Sequence, residues 1–271
     1  PKEDLERIFR FADTLVGRMP GGLAQVNIFS SLIFSGMSGA ALADVGGLGR
    51  IEVKAMKERG FKADFAAAVT CASAIVGPIF PPSIPLIIYG SITSVSIVQL
   101  LLGGIIPAII CVSLLMITTG VIAMRRSYPR SDRWPQFGEV VRDLFPALPA
   151  LLAPVILVAG MLFGFFTPTE AASVTVVYVL LISSTVYREL KWRHILYSAF
   201  ETAKSTSAIL IIVSAAALFG WILAVEQIPQ LFARNFLALS RDPVVLLVIA
   251  NLILLVVGMF LDSTTATLLV I

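Results

Sequence analysis

Apolar residues dominate the chain in long blocks separated by short polar segments, and the blocks differ in how they are interrupted. Residues 3–19 place Leu5, Ile8, Phe9, Ala12, Leu15 and Val16 at helical spacing opposite charged positions, which predicts an amphipathic helix lying along a membrane interface. An apolar block over 21–49 has Ser35, Gly36, Ser38 and Gly39 at its centre, and each arm is about half the ~20 residues needed to cross a bilayer. This predicts a helical hairpin re-entering the membrane, with its tip at Ser35 to Gly39; a single helix with a small-residue packing face is the alternative. Residues 50–62 form a basic surface segment.

The block 63–92 contains Pro78, Pro81, Pro82 and Pro85. Each proline removes an amide and disfavours helix in the residue before it, so this span is expected to break near 77–83. A plain span follows over 97–124, then a polar linker over 125–143 carrying Arg125, Arg126, Arg130 and Arg133. Spans are predicted over 144–166 and 169–187, with Thr167, Pro168 and Glu170 reading as a helix cap; an intramembrane role for Glu170 is the other reading. A second interface helix at 192–206, a second hairpin at 207–235 interrupted at Ser214 and Gly220, and a second broken span at 243–271 complete the order.

One offset brings Gly77 onto Gly258, Pro81-Pro82-Ser83 onto Asp262-Ser263-Thr264, and Gly39 onto Gly220. The predicted fold is therefore an all-α polytopic membrane protein of two structural repeats, 1–124 and 144–271, each with a re-entrant hairpin and a broken transmembrane helix. An inverted second repeat would build one central site, although the basic residues near 50–62 and 188–194 would then face opposite sides.

Composition agrees with this pattern. Of 271 residues 58% are hydrophobic and 14% charged, and the mean hydropathy is +0.94. The net charge of +3 resides in short loops, where it orients spans rather than binding nucleic acid. Cys71 and Cys111 read as small buried hydrophobes, giving no disulfide or metal framework. His194, the single histidine, sits in a charged loop beside Trp192 and reads as an interfacial anchor. The chain is expected to be an internal piece of a longer protein, because it opens on Pro1 and stops inside an apolar run.

Broken helices free backbone carbonyls, which are hard oxygen ligands suited to Na⁺. The candidate ion ligands are Ser35, Ser38, Gly77, Phe80 and Pro82 in the first repeat, with Gly220, Gly258 and Thr264 in the second. Helix N-termini after Ser83 and Thr264 would direct positive dipole ends at an anionic substrate, with Ser38, Gly39, Pro81, Ser83, Asp262 and Thr264 as candidate substrate residues. Asp262 is the one acid within a broken span, and a helix cap is its other reading. No organic cofactor is expected.

The motifs PGGLA at 20–24, SGMSG at 35–39 with Ala43 and Asp44, GPIFPPSIP at 77–85 with Tyr89 and Gly90, FTPTEAA at 166–172 and GMFLD at 258–262 are similar, in this order, to those of a known family. The chain resembles the large membrane subunit of tripartite ATP-independent periplasmic (TRAP) transporters, the DctM-like subunit. The resemblance implies a sodium-driven, elevator-type importer of small carboxylates such as C4-dicarboxylates or sialic acid, in a bacterial inner membrane. It implies two protein partners, a periplasmic binding protein and a small four-helix, DctQ-like membrane subunit. It also implies that about two spanning segments precede this chain and a further stretch follows it. Another ion-transporter-superfamily permease or cation antiporter would want more buried acids. An intramembrane enzyme would want a histidine or paired acids beside a nucleophile, and a structural scaffold would leave the broken spans unexplained.

Overall fold

The computed structural model describes residues 11–129, 137–187, 190–228, 230, 231, 234, 242–261 and 263–270, and among them every regular element is a helix. The chain divides into two compact units, Pro1–Glu189 and Leu190–Ile271. Among the described residues four helical stretches are long and apolar enough to cross a membrane: Ile97–Arg125, Leu144–Leu162, Pro168–Thr185 and Trp192–Leu223.

In the first unit residues 11–16 of the expected interface helix 3–19 are helical and 17–19 turn out of it, earlier than expected, while 3–10 lie outside the described residues. Helix α1 (Leu23–Ser38) ends where Gly39 turns left-handed at φ 62°, and Ala40 is extended before α2 (Ala41–Gly47) begins. The stretch is thus two helices and a turn, and not one helix. Ser35 falls inside α1 rather than in the turn, because nothing before Gly39 obliges the helix to stop.

Helix α3 (Gly49–Glu58) follows almost directly, then α4 (Ala63–Ser73) and a short 3₁₀ turn, Ala74–Val76. The chain is irregular from Gly77 until α5 (Ile84–Thr93). Adjacency of prolines is what stops the helix here: Phe80 and Pro81 each precede a proline and are biased away from helical backbone one after the other. Prolines spaced more widely do not have this effect. Pro107 lies inside α6 (Ile97–Arg125), and Pro146, Pro149 and Pro154 lie inside α7 (Phe137–Leu162).

Helix α7 begins at Phe137, so the last residues of the expected linker 125–143 are already helical. Helix α8 (Pro168–Thr185) packs beside it. The hydroxyls of Tyr178 and Tyr187 donate to the carbonyls of Pro149 and Pro146, each at 2.9 Å. Thr167 and Glu170 form the complete capping box expected from sequence: Glu170 Oε2 accepts from the Thr167 amide at 2.8 Å, and the Glu170 amide donates back to Thr167 Oγ1 at 3.4 Å.

The core of this unit gathers Val26, Ile28, Met56, Phe65 and Val69 around α1, which packs against α4, α6 and α7. Buried polar side chains also tie its helices together. Gln25 Nε2 donates to the carbonyls of Pro20 at 3.0 Å and Met116 at 2.9 Å, joining α1 to α6. Cys71, expected to be buried, is exposed on α4, and Cys111 is half-buried.

The second unit contains α9 (Trp192–Val225), α10 (Pro243–Gly258) and α11 (Ser263–Val270), with α11 packed against both others. Here one expectation is corrected. The interface helix 192–206 and the interrupted stretch beginning at 207 are a single 34-residue helix that runs through Ser214 and Gly220. The reason is composition: there is no proline in this stretch, one glycine costs a helix only ~1 kcal/mol, and Ser214 Oγ bonds back to the Leu210 carbonyl at 2.8 Å. Asp242 caps α10 through its Oδ1, which accepts from the Val244 amide at 2.8 Å. The chain leaves helix after Gly258 and resumes at Ser263.

Candidate functional site

Three short stretches of the first unit meet: the turn after α1, the irregular segment 77–83, and the start of α5. The amide of Ile84 donates to the carbonyl of Gly39 at 3.3 Å. A Cβ on Gly39 would run into the Pro82 carbonyl, and one on Gly77 would lie 3.1 Å from the Ala40 carbonyl carbon. The two glycines thus let backbone approach backbone without a side chain between.

Ser83 begins α5 as its N-cap, its hydroxyl accepting from the Leu86 amide at 3.3 Å and donating to the Pro78 carbonyl. That hydroxyl is buried and occupied, so Ser83 shapes the segment rather than presenting a free group. The peptide between Pro81 and Pro82 is cis. Among the described residues no backbone amide is bonded to the carbonyls of Gly77, Phe80, Pro81 or Pro82. Pro81 is buried, and Phe80 and Pro82 are half-buried.

Ser38 Oγ, at the end of α1, is buried and has no hydrogen-bond partner. Ser35 is buried too, but its hydroxyl donates to the Leu32 carbonyl at 2.7 Å and its own carbonyl accepts from the Gly39 amide at 3.0 Å. An orphaned hydroxyl on the turn bonded to this segment, and carbonyls without amide partners within it, are oxygens of the kind an alkali cation takes, a hard ion that needs no carboxylate. The residues of the first unit fit sodium in that sense. Among the described residues no cluster of three or more His, Cys, Asp or Glu side chains could hold a different metal.

In the second unit the candidate residues are separated along the chain. Gly258 is the last residue of α10 and Thr264 lies in the first turn of α11, so these two flank the interruption. Asp262 lies outside the described residues. Gly220 sits in the interior of α9, where carbonyls are engaged by amides four residues on, and this removes the basis on which it was chosen as an ion ligand.

A polar relay runs behind the turn. Ser31 Oγ donates to Ser73 Oγ at 2.9 Å, Ser73 Oγ to Asn27 Oδ1 at 3.0 Å, and Asn27 Nδ2 to Thr70 Oγ1 at 2.7 Å, all buried. Sequence reading passed over it, although the signal was present: Asn27, Ser31, Ser35 and Ser38 recur at helical spacing, so one polar stripe on α1 leads to the turn.

The family model for the tripartite ATP-independent periplasmic transporter, DctM component, matches residues 5–271. The chain is 44% identical to the sialic acid TRAP transporter large permease protein of Vibrio cholerae over 98% of its own length and 62% of that protein's. It is 40% identical to the sialic acid TRAP transporter permease protein of Haemophilus influenzae, covering 95% of this chain and 42% of that one. It is 31% identical to the C4-dicarboxylate TRAP transporter large permease protein of Pseudomonas aeruginosa, covering 95% and 60%. The chain therefore spans about three fifths or less of the length of these relatives.

Proposed function

The chain belongs to the DctM family of tripartite ATP-independent periplasmic transporter components, and on that premise we propose that it forms the ion- and substrate-binding part of a sodium-coupled importer of small organic acids. The observation that carries the sodium reading is the buried, unpartnered Ser38 hydroxyl on a turn whose next residue, Gly39, is bonded to Ile84 beside the unbonded carbonyls of Gly77, Phe80, Pro81 and Pro82. Sodium would be held by oxygens from Ser38, Gly77, Phe80 and Pro82, with Ser35 shaping the turn. Gly39, Pro81, Asp262 and Thr264 remain the proposed substrate contacts, Gly258 and Thr264 the second ion position.

In this reading α1 and α2 re-enter the membrane as a hairpin, 63–92 and 243–271 are broken spans of two inverted repeats, and the site moves across the bilayer as an elevator. Sialic acid is the first substrate to test, because two relatives at 40% identity or above carry that name, with C4-dicarboxylates next. Delivery would be by a periplasmic binding protein, with a small four-helix membrane subunit alongside, in the bacterial inner membrane.

The test is uptake into proteoliposomes holding the full-length permease, its small subunit and the binding protein. Replacing Na⁺ by choline should reduce uptake of labelled sialic acid to background. Uptake that persists in choline, or that needs no binding protein, overturns the mechanism.

A further inference from the structure

Helix α3 is a charged surface helix: Arg50, Lys54, Lys57 and Glu58 are exposed. Glu52 is the exception. It is turned wholly inward at 0% exposure, and Asp44, two turns earlier in α2, is 2% exposed. The backbone explains why they share a face. The Leu48 amide bonds to the Asp44 carbonyl and the Glu52 amide to the Leu48 carbonyl at 3.1 Å, so the helical path continues through the junction and stacks positions 44, 48 and 52.

None of the four carboxylate oxygens of Asp44 and Glu52 has a hydrogen-bond partner. The elements packed against α3 are α1, α2 and α4. Helix α1 carries no charged residue; its Asn27 and Ser31 are committed to the relay with Thr70 and Ser73 of α4, and Ser31 stands close to Asp44. Helix α4 adds only Asp64 and Cys71, both exposed. The exposed cations of α3 point away from the pair, and Asp44 is the charged group whose field reaches Glu52.

An ionised carboxylate buried away from bulk solvent, with no protein donor or counter-ion, is strongly disfavoured, and a second acid nearby makes it worse. Taking up a proton from water, with one O–H bond formed on the Glu52 carboxyl, relieves both costs. We propose that Glu52 is a proton-binding site, and that α2 and α3 pack against α1 and α4 in this arrangement while Glu52 is a neutral carboxylic acid facing Asp44. This goes beyond the transport reading and does not depend on it. Its mechanical link to the candidate ion site is short, because α2 starts at Ala41, whose amide nitrogen lies against Gly77.

Burial first and Asp44 second push the Glu52 carboxyl well above the usual carboxylate range. A group whose folded value is raised gives its full stabilisation below the unfolded value, and that stabilisation is lost as pH climbs through the folded value. The full-length permease in lipid nanodiscs is therefore titrated in sodium-free buffer, following the infrared carboxyl band and the melting temperature in wild type, E52Q and D44N. The expected result is a protonated-carboxyl band at neutral pH that E52Q lacks, and a melting temperature that falls with rising pH in wild type but stays level in E52Q. D44N should move the wild-type titration to lower pH. If E52Q does not assemble, the wild-type band and its shift in D44N decide. The proposal is overturned by the absence of a band that these substitutions alter, by equal pH slopes in wild type and E52Q, or by a band that disappears when NaCl is added at constant pH, which would mark a cation site instead.

Discussion

The amide of Ile84 donates to the carbonyl of Gly39 at 3.3 Å, so the first residue of α5 is tied to the residue that ends α1. Two interruptions far apart in sequence are thereby one local structure. Gly39 can serve because it adopts a φ of 62° without strain and has no Cβ to meet the Pro82 carbonyl.

Replacing Gly39 by Ala should therefore be costly twice over. The left-handed conformation alone is worth ~1–2 kcal/mol against an L-residue, and the new methyl group meets the Pro82 carbonyl. Thermal melts of G39A in nanodiscs should show a lowered midpoint, with sodium-driven uptake lost. A melt matching wild type would mean that the turn yields without cost.

Ser38→Ala should behave differently. Its hydroxyl has no partner, so deleting it strands no buried donor or acceptor and should leave the sodium-free protein close to wild type in stability. What should go is the stabilisation by sodium, which at about a hundredfold over Kd amounts to ~2.7 kcal/mol for a single site. Melting curves of wild type and S38A with and without NaCl read this directly; an undiminished sodium shift in S38A removes Ser38 from the ligand set.

Asn27 and Thr70 join α1 to α4 through a buried bond of 2.7 Å. Removing one partner leaves the other buried and unsatisfied at ~1–3 kcal/mol, whereas removing both avoids that penalty. A double-mutant cycle on N27A and T70A should give a coupling of ~1 kcal/mol; additive effects would show that the contact carries no energy of its own.

Gly220→Ala is the converse case. Gly220 lies in a continuous helix with no heavy atom within 4 Å of the position a Cβ would take. The substitution should be neutral or stabilising by up to ~1 kcal/mol, with uptake retained. Loss of sodium dependence in G220A would restore the ligand role that helix continuity argues against.

Much of the first unit was legible because its punctuation is strong. Adjacent prolines at 81 and 82 and the serine-glycine run to Gly39 stop helices by sterics that operate within a few residues. Weaker marks misled. Gly220 and Ser214 suggested an interruption, yet a helix tolerates a lone glycine and a serine bonded to its own backbone. Ser83 looked like a substrate residue from position alone, whereas its hydroxyl closes the segment it belongs to. Glu52 was hidden for a different reason. It sits among exposed charges, and only the packing of α3 on its neighbours shows that one of them points inward.

The 34 residues of α9 make a rod of ~50 Å, against a hydrocarbon layer of ~30 Å. The excess length matches its charged N-terminal end, where the first thirteen residues carry Arg193, His194, Glu201 and Lys204, and this end is expected to lie outside the hydrocarbon on one side. A single cysteine at position 201 or 204, in a background where Cys71 and Cys111 are serine, would react with a membrane-impermeant maleimide from that side alone. One labelling of intact and opened vesicles then fixes the topology of the whole second unit.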